Sequence, residues 1–412
     1  MKPLAAAPLF YIHAFWMSFA FSVIFTVNMV FQVEVAGLSP LQLVLVGTAL
    51  ELSAFVFEIP TGIVADVYSR RLSVIIGIAI TGVAYLIQSI PVFAAIAFAS
   101  ALWGLGFTFT SGAHAAWITD EVGVEKVGGV FLRAGQAGRL GGLAGIPVSV
   151  LLARAGLHVP ILAGGLIILG LSVFLILFMG EAGFKAKTKE ERDTWVDMAA
   201  TLREGLAVVR ARPALRDFLF IALFVGLYSE GYDRLWTAHL LEGFTFPEIT
   251  GLDVVGWFGL MRLADSLLGI GLNEWVRRKL DLNDIQKSVR MLQLLYGLMI
   301  AGLVAFAWTN QFYPAVVMIL AFDLCRGLTY PIQGAWTNQF IDSKVRATVL
   351  SVESQVDALG QTAGGPVLGY TGNRLGLRPT LTLAAAILLP VLPLYWRTLR
   401  RHGSGDRIPF TP

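Results

Sequence analysis

Twelve stretches of roughly twenty apolar residues fix what this chain can fold into, because a helix needs a run of that length to cross the hydrocarbon of a bilayer. They are Phe10–Val33, Leu41–Val64, Ser73–Val92, Ala94–Ile118, Val130–Leu152, Pro160–Met179, Phe218–Leu241, Leu252–Asn273, Met291–Trp308, Phe312–Trp336, Thr348–Tyr370 and Pro379–Trp396. In lipid each run must satisfy its own backbone hydrogen bonds, which a helix does. The expected fold class is therefore all-α, a polytopic membrane protein with twelve transmembrane helices. The 412 residues are 56% hydrophobic and 14% charged, with a mean hydropathy of +0.70. Soluble domains carry about 25% charged residues. The run after Lys2 is too long for a secretory signal and has no small-residue cleavage site at Asn28–Glu34, so it reads as an uncleaved first span.

Where the bases lie says more than the net charge of +3. With the N-terminus inside, the inner loops and ends hold Lys2, Arg70, Arg71, Lys126, Arg133, Arg277, Arg278, Lys279, Lys287, Arg290, Lys344, Arg346 and the basic C-terminal residues. Outer loops hold Arg154, Arg374 and Arg378. That asymmetry places both termini in the cytoplasm. Nothing else in the chain supports a nucleic-acid partner for the basic balance. The single cysteine, Cys325, falls inside a span, so no intrachain disulfide is possible and the residue reads as a small apolar filler.

The spans divide into two sets of six. Residues 1–180 form an expected N-terminal bundle, 181–216 a cytoplasmic linker, 217–400 a C-terminal bundle and 401–412 a cytoplasmic tail. Within the linker, Trp195, Met198, Leu202 and Val209 recur at helical spacing, which predicts an amphipathic helix at the inner interface. The halves echo each other in order. Gly62, Asp66 and Arg70-Arg71 correspond to Gly271, Glu274 and Arg277-Arg278; Gly106-Phe-Thr-Phe corresponds to Gly327-Leu-Thr-Tyr. Gly135-Gln136 matches Gly360-Gln361, and Gly156-Leu157 matches Gly376-Leu377. Spans three, six, nine and twelve have no Asp, Glu, Lys or Arg in their interiors, whereas the buried charges fall in the second, fifth, seventh, eighth, tenth and eleventh. A charge facing lipid costs several kcal/mol, so the uncharged spans are the lipid-facing ones.

Between the second and third spans runs Glu58-Ile-Pro-Thr-Gly-Ile-Val-Ala-Asp-Val-Tyr-Ser-Arg-Arg71, which concentrates Asp66, Arg70 and Arg71 in one short turn. It resembles the corresponding loop of the major facilitator superfamily, Gly-X-Leu-Ala-Asp-Arg-X-Gly-Arg-Arg. Gly62, Ala65, Asp66, Arg70 and Arg71 match; Val67 and Ser69 depart. The resemblance implies two pseudo-symmetric six-helix bundles and transport by alternating access. The opening Glu-Ile-Pro-Thr-Gly and the Ala-Trp-Ile-Thr-Asp-Glu at Ala116–Glu121 look most like the family's drug-efflux branch, which exchanges protons for amphipathic compounds. Exporters of the family carry Gly-Pro-X-X-Gly in the fifth span. Here that form stands in the eleventh, at Gly365–Gly369, which leaves the direction open.

Depth counting at about 1.5 Å per residue puts Glu51, Arg139, Glu230, Asp233, Arg262, Asp265, Asp323, Arg326 and Asp357 near mid-membrane, with Glu58 and Glu353 nearer the inner face. Arg262–Asp265 and Asp323–Arg326 are three residues apart, so each pair shares a helix face and serves either as an internal salt bridge or in binding. Glu353 and Asp357 put like charges on one face, which favours one of them holding a proton. Among the acids, Asp233 and Asp357 are the preferred proton carriers, since neither has an arginine three or four residues away on its own helix. His114 reads as a hydrogen-bonded helix-contact residue, with a proton-relay role as its alternative. Family analogy implies a cytoplasmic gate in which Asp66 meets the start of the eleventh span, Lys344–Thr348 with Arg346, while Arg70 and Arg71 reach Asp120 or Glu121. Its mirror image would direct Glu274 to the start of the fifth span near Gly129, and Arg277 or Arg278 to Asp342.

The chain has no Walker loop, no His/Cys cluster at metal spacing and no nucleophile with a placed base, so neither an enzyme nor a cofactor is expected. The reading is a monomeric secondary transporter of the inner or plasma membrane, using protons as coupling ion to expel amphipathic small molecules. Its alternatives are proton-coupled uptake of a small polar or anionic solute and a transporter-like membrane sensor.

Overall fold

The computed structural model describes residues 3–184, 203, 213–282, 284–340 and 343–403. The amphipathic helix expected at residues 195–209, Asp342 and the side chain of Arg346 lie outside the described residues. Twelve helices follow one another without a strand among the described residues. They are α1 Ala6–Val35, α2 Pro40–Tyr68, α3 Arg70–Gln88 and α4 Phe93–Val122, then α5 Val124–Ala153 and α6 His158–Phe178. The rest are α7 Pro213–Gly243, α8 Val254–Lys279, α9 Ile285–Trp308, α10 Phe312–Phe340, α11 Ser343–Leu375 and α12, made of Leu377–Leu388 and Val391–Gly403. Nine of them are long and apolar enough to cross a membrane. The other three are α5, α7 and α11, whose hydropathy is lowered by Arg133 and Arg139, by Glu230, Asp233 and Arg234, and by Glu353 and Asp357.

Helix starts follow local chemistry. Ser39 caps α2 in a reciprocal box with Gln42, and Pro40 supplies the first helical φ. Ser69 caps α3 through the Leu72 amide at 2.9 Å, and Asp284 caps α9 through the Lys287 amide at 3.1 Å. Gly156 and Gly376, paired in the sequence repeat, both adopt positive φ (132° and 84°) just before α6 and α12. Two helices are interrupted. α1 breaks at Thr26–Val27 and ends in a π-helical turn, Phe31–Val35. α4 breaks at Ser111–Gly112, where Gly112 takes a φ of +69°.

The chain forms two compact units: Met1–Asp197 with Glu248–Leu263, and Met198–Pro247 with Ala264–Pro412. Glycine-to-backbone packing organises each. In the first, a Cβ on Gly145 would come within 2.6 Å of the Phe19 carbonyl oxygen of α1, and Gly141 presses on Phe15 in the same way. Ser149 adds a 2.6 Å hydrogen bond to the Val23 carbonyl. In the second unit, a Cβ on Gly360 of α11 would lie 2.7 Å from the Leu223 carbonyl oxygen of α7, while Gly364 presses on Leu227 and Gly226 on Asp357. Close backbone approach of this kind is how helices associate where lipid removes the hydrophobic drive. The same device thus joins α1 to α5 and α7 to α11. On α6 the apolar Leu166, Val173, Ile176 and Leu177 stay exposed, as a lipid-facing helix requires.

Candidate functional site

The polar residues of α7, α10 and α11 converge inside the second unit. On α7, Glu230, Asp233 and Arg234 lie within a turn and a half of one another. Arg234 Nε donates to Glu230 Oε1 at 2.8 Å, which closes that pair on its own helix and lets Glu230 be 5% exposed. Asp233 points elsewhere. Its carboxylate takes both terminal nitrogens of Arg326 on α10, Nη2 to Oδ2 at 2.9 Å and Nη1 to Oδ1. A fork of this kind fixes orientation as well as charge. The Arg326 guanidinium also stands 5.9 Å from the ring centres of both Tyr228 and Tyr232, within cation–π range.

Two sequence expectations change here. Asp323 and Arg326 share a face of α10 but do not pair. Arg326 turns across to Asp233, and Asp323 Oδ1 instead accepts the Tyr232 hydroxyl at 2.9 Å. Asp233, preferred because no arginine stands three or four residues away on its own helix, has one from α10. The fork engages both carboxylate oxygens of Asp233 at once. Asp265 on α8 is near enough to Asp323 to repel it.

On α11, Glu353 and Asp357 line a cavity of ≈ 370 Å³ with Arg326, Tyr228, Tyr296 and Tyr330. Gln361 Nε2 donates to Asp357 Oδ2 at 2.7 Å. Neither Glu353 nor Asp357 is in an ion pair among the described residues. The cavity therefore combines aromatic walls, two carboxylates and a guanidinium whose charge is balanced by Asp233. It can accept a proton, a cation or the polar end of an amphipathic molecule. Of the remaining candidates, Arg139 lies exposed on α5, Glu51 is half-buried on α2, and Glu58 is exposed further along the same helix. Arg262 lies on α8 ahead of Asp265.

In the first unit the α2–α3 turn is held by the end of α4 and by the chain just after α6. Arg70 Nη1 binds Asp120 Oδ2. Arg71 does not go to α4: its Nη2 donates to the Ile176 carbonyl at 2.7 Å and its backbone amide to Glu181 Oε1 at 2.8 Å. Glu181 Oε2 accepts the Ser69 hydroxyl at 2.6 Å, so one carboxylate caps the start of α3. Glu121 accepts the Ala182 and Gly183 amides at 2.6 and 2.7 Å, and Trp117 Nε1 donates to the Gly180 carbonyl at 2.8 Å. In the second unit Glu274 is held by its own helix, accepting from Arg277 Nε at 2.7 Å and Arg278 Nε at 2.6 Å. Tyr228 and Tyr232 are legible as aromatics of a cavity-type span, whereas Glu181 and the role of Gln361 are not. Glu181 sits among linker residues, and Gln361 carries no charge to draw attention.

Comparison with known proteins accords with this architecture. The chain is 21% identical over 357 residues to the uncharacterized MFS-type transporter YxaM of Bacillus subtilis (strain 168), covering 86% of each chain. Among solved structures it superimposes on the nucleoside transporter NupG with a TM-score of 0.74 at 13% identity, covering 96% of this chain and 100% of that one. It also matches a bacterial homolog of the human lysosomal transporter Spinster, in an inward-facing and occupied conformation. There the TM-score is 0.70 at 14% identity, covering 98% of both chains. At those identities the structures share the fold. The family model Major Facilitator Superfamily matches residues 10–356. This membrane protein, a transporter rather than an enzyme, belongs to the Major Facilitator Superfamily.

Proposed function

We propose that the protein is a proton-coupled exporter of amphipathic small molecules, with the α7–α10–α11 cavity as its chamber for substrate and proton. One observation carries this reading: the cavity sets Glu353 and Asp357 beside the rings of Tyr228, Tyr296 and Tyr330, while Arg326 is already engaged by Asp233. A chamber with aromatic walls and spare carboxylates favours a neutral or cationic amphiphile over an anion. The same carboxylates supply proton acceptors, and membrane-embedded acids mark proton pathways. Asp357, hydrogen-bonded to Gln361 and close-packed on Gly226 of α7, is the carrier of choice. Its protonation changes the charge at the seam between α7 and α11.

The test is accumulation of a fluorescent lipophilic cation in cells with and without the protein. Expression should lower accumulation several-fold, and a protonophore should abolish the difference. A second reading, proton-coupled uptake of a polar or anionic solute, draws on Arg326: protonating Asp233 would release a guanidinium into the same cavity. The solved relatives include nucleoside and peptide transporters, and gradient-driven inward accumulation of such a solute would favour this second reading over export.

A further inference from the structure

The first unit contains a pair of histidines that the acidic cavity of the second unit does not explain. His13 of α1 is 9% exposed, and its ring centre lies 4.0 Å from that of His114, in the segment of α4 beyond the break. The pair is boxed by aromatic rings: Phe10 at 4.5 Å from His114, Trp117 at 6.0 Å and stacked on it, and Phe131 of α5 against Phe10. His114 Nε2 is enclosed and has no hydrogen-bond partner. The ring makes the expected helix contact, to α1, but its Nε2 lacks the expected hydrogen bond. An imidazole nitrogen enclosed without a partner is costly unless another state of the molecule uses it.

Charged groups on the surrounding elements are Arg70 and Arg71 of α3, Asp120 and Glu121 at the end of α4, Glu125, Lys126, Arg133 and Arg139 of α5, and Glu181 after α6. The charge-changing groups on α1 itself are Tyr11 and Glu34, the latter at the opposite end; α6 contributes His158, also at its far end. Arg70 and Asp120 hold each other, Glu121 takes the Ala182 and Gly183 amides, and Glu181 takes Ser69 and Arg71. Among the described residues none of these groups forms an ion pair or hydrogen bond with either imidazole.

We propose that His13 and His114 form a one-proton site in the first unit that controls the position of the Ala113–Val122 segment of α4. The inference stands apart from the proposed chemistry of the second unit. Both ring nitrogens of an imidazolium are donors. The two rings meet edge to face with centres 4.0 Å apart, closer than an N–H···N bond between imidazoles allows, and a second proton on the pair is excluded by like charge at this separation. Satisfying the donors of the charged ring requires the box to open. The means is present: α4 is already broken at Ser111–Gly112, and nothing lies within 4 Å of where a Gly112 Cβ would be. The ten-residue segment that carries His114 also carries Trp117, bound to Gly180, and Asp120, bound to Arg70. Protonation at the histidines therefore reaches the α2–α3 turn through one short rigid piece.

Two measurements on the full-length protein in nanodiscs test this. The first follows ¹⁵N-imidazole signals of the five histidines from about pH 8 to about pH 3, a range that extends below the one in which an exposed histidine switches charge because burial disfavours the charged ring. The His13 and His114 signals are assigned by His13→Gln and His114→Gln. The expected result is that the pair takes up one proton in total, with both signals moving together. Titration to two protons, or no titration, overturns the proposal. The second follows the distance between spin labels at Leu4→Cys and Ala115→Cys, the latter exposed on the segment itself, in a Cys325→Ala background. Acid should shift that distance in the otherwise native protein, and the shift should be lost in His114→Gln. Where that variant does not fold, His114→Phe keeps the ring packing and serves instead. An equal acid shift with and without His114 refutes the switch.

Discussion

Arg326 and Asp233 show how a residue's partner, rather than its identity, decides what it does. Alone on its helix face, Asp233 would be a free acid; forked to Arg326 it is half of a neutral pair bridging α7 and α10. Removing either member leaves the other uncompensated, at a cost of about 1–3 kcal/mol for a group of this kind. Asp233→Asn and Arg326→Gln should each lower the melting temperature in detergent, and the double variant should regain most of the loss. Equal destabilisation by the double and the sum of the singles would mean that the pair contributes no coupling. The charged residues of this site were all legible in the sequence, because a charge inside an apolar span stands out. Their partners were not. Spacing along one helix suggested Asp323–Arg326, yet a contact between helices depends on rotation about each axis, which a linear pattern does not encode. The hydrogen bonds of neutral donors such as Tyr232 and Gln361 escaped for a related reason, since an apolar span tolerates these side chains without visible interruption.

Among the elements, α5 separates two kinds of glycine that look alike in sequence. Gly138, Gly141 and Gly145 lie against α1, whereas Gly135 and Gly142 have open space where a Cβ would stand, with no other atom within 4 Å. Gly145→Ala should therefore force α1 and α5 apart at an overpacking cost of about 1–3 kcal/mol, while Gly142→Ala should melt at or slightly above the wild-type temperature. Comparable losses for both would contradict the α1–α5 seam. At the start of α9, the Lys287 amide and then its ammonium hold the Asp284 carboxyl below its ordinary range. A depressed acid stabilises the fold above its unfolded value and loses that contribution as the pH falls through the folded one. Hydrogen-exchange protection of the first turn of α9 should thus be constant from neutral pH down to about pH 4 and fall off below it; Asp284→Ala should remove the protection throughout. Helix existence was legible from apolar length, but most helices run several residues beyond the apolar windows. Their end turns lie where lipid no longer selects composition. The break in α4 was invisible because Ser111 and Gly112 are also ordinary residues of a packed membrane helix.

For the molecule as a whole, the repeat read from paired motifs reappears as paired packing, with α1 on α5 and α7 on α11 joined through glycine. Transport by alternating access needs two states of similar free energy, so small contacts at the charged turn are enough to set their balance. Asp66→Asn should leave expression and orientation intact while slowing transport and enriching the inward-open form several-fold, as expected for an exposed contact worth about 1 kcal/mol. Distances measured across the end of the molecule that carries this turn check this, and unchanged populations would mean that Asp66 takes no part in a gate. The central claim is that Asp357 carries the coupling proton in the α7–α10–α11 cavity, and it is tested most directly in proteoliposomes that contain the purified protein. Wild type should drive a lipophilic cation against its gradient when a pH difference is imposed, and should also exchange labelled for unlabelled cation when none is. Asp357→Asn should keep the exchange and lose the gradient-driven transport. Gradient-driven transport by Asp357→Asn at the wild-type rate would contradict the account.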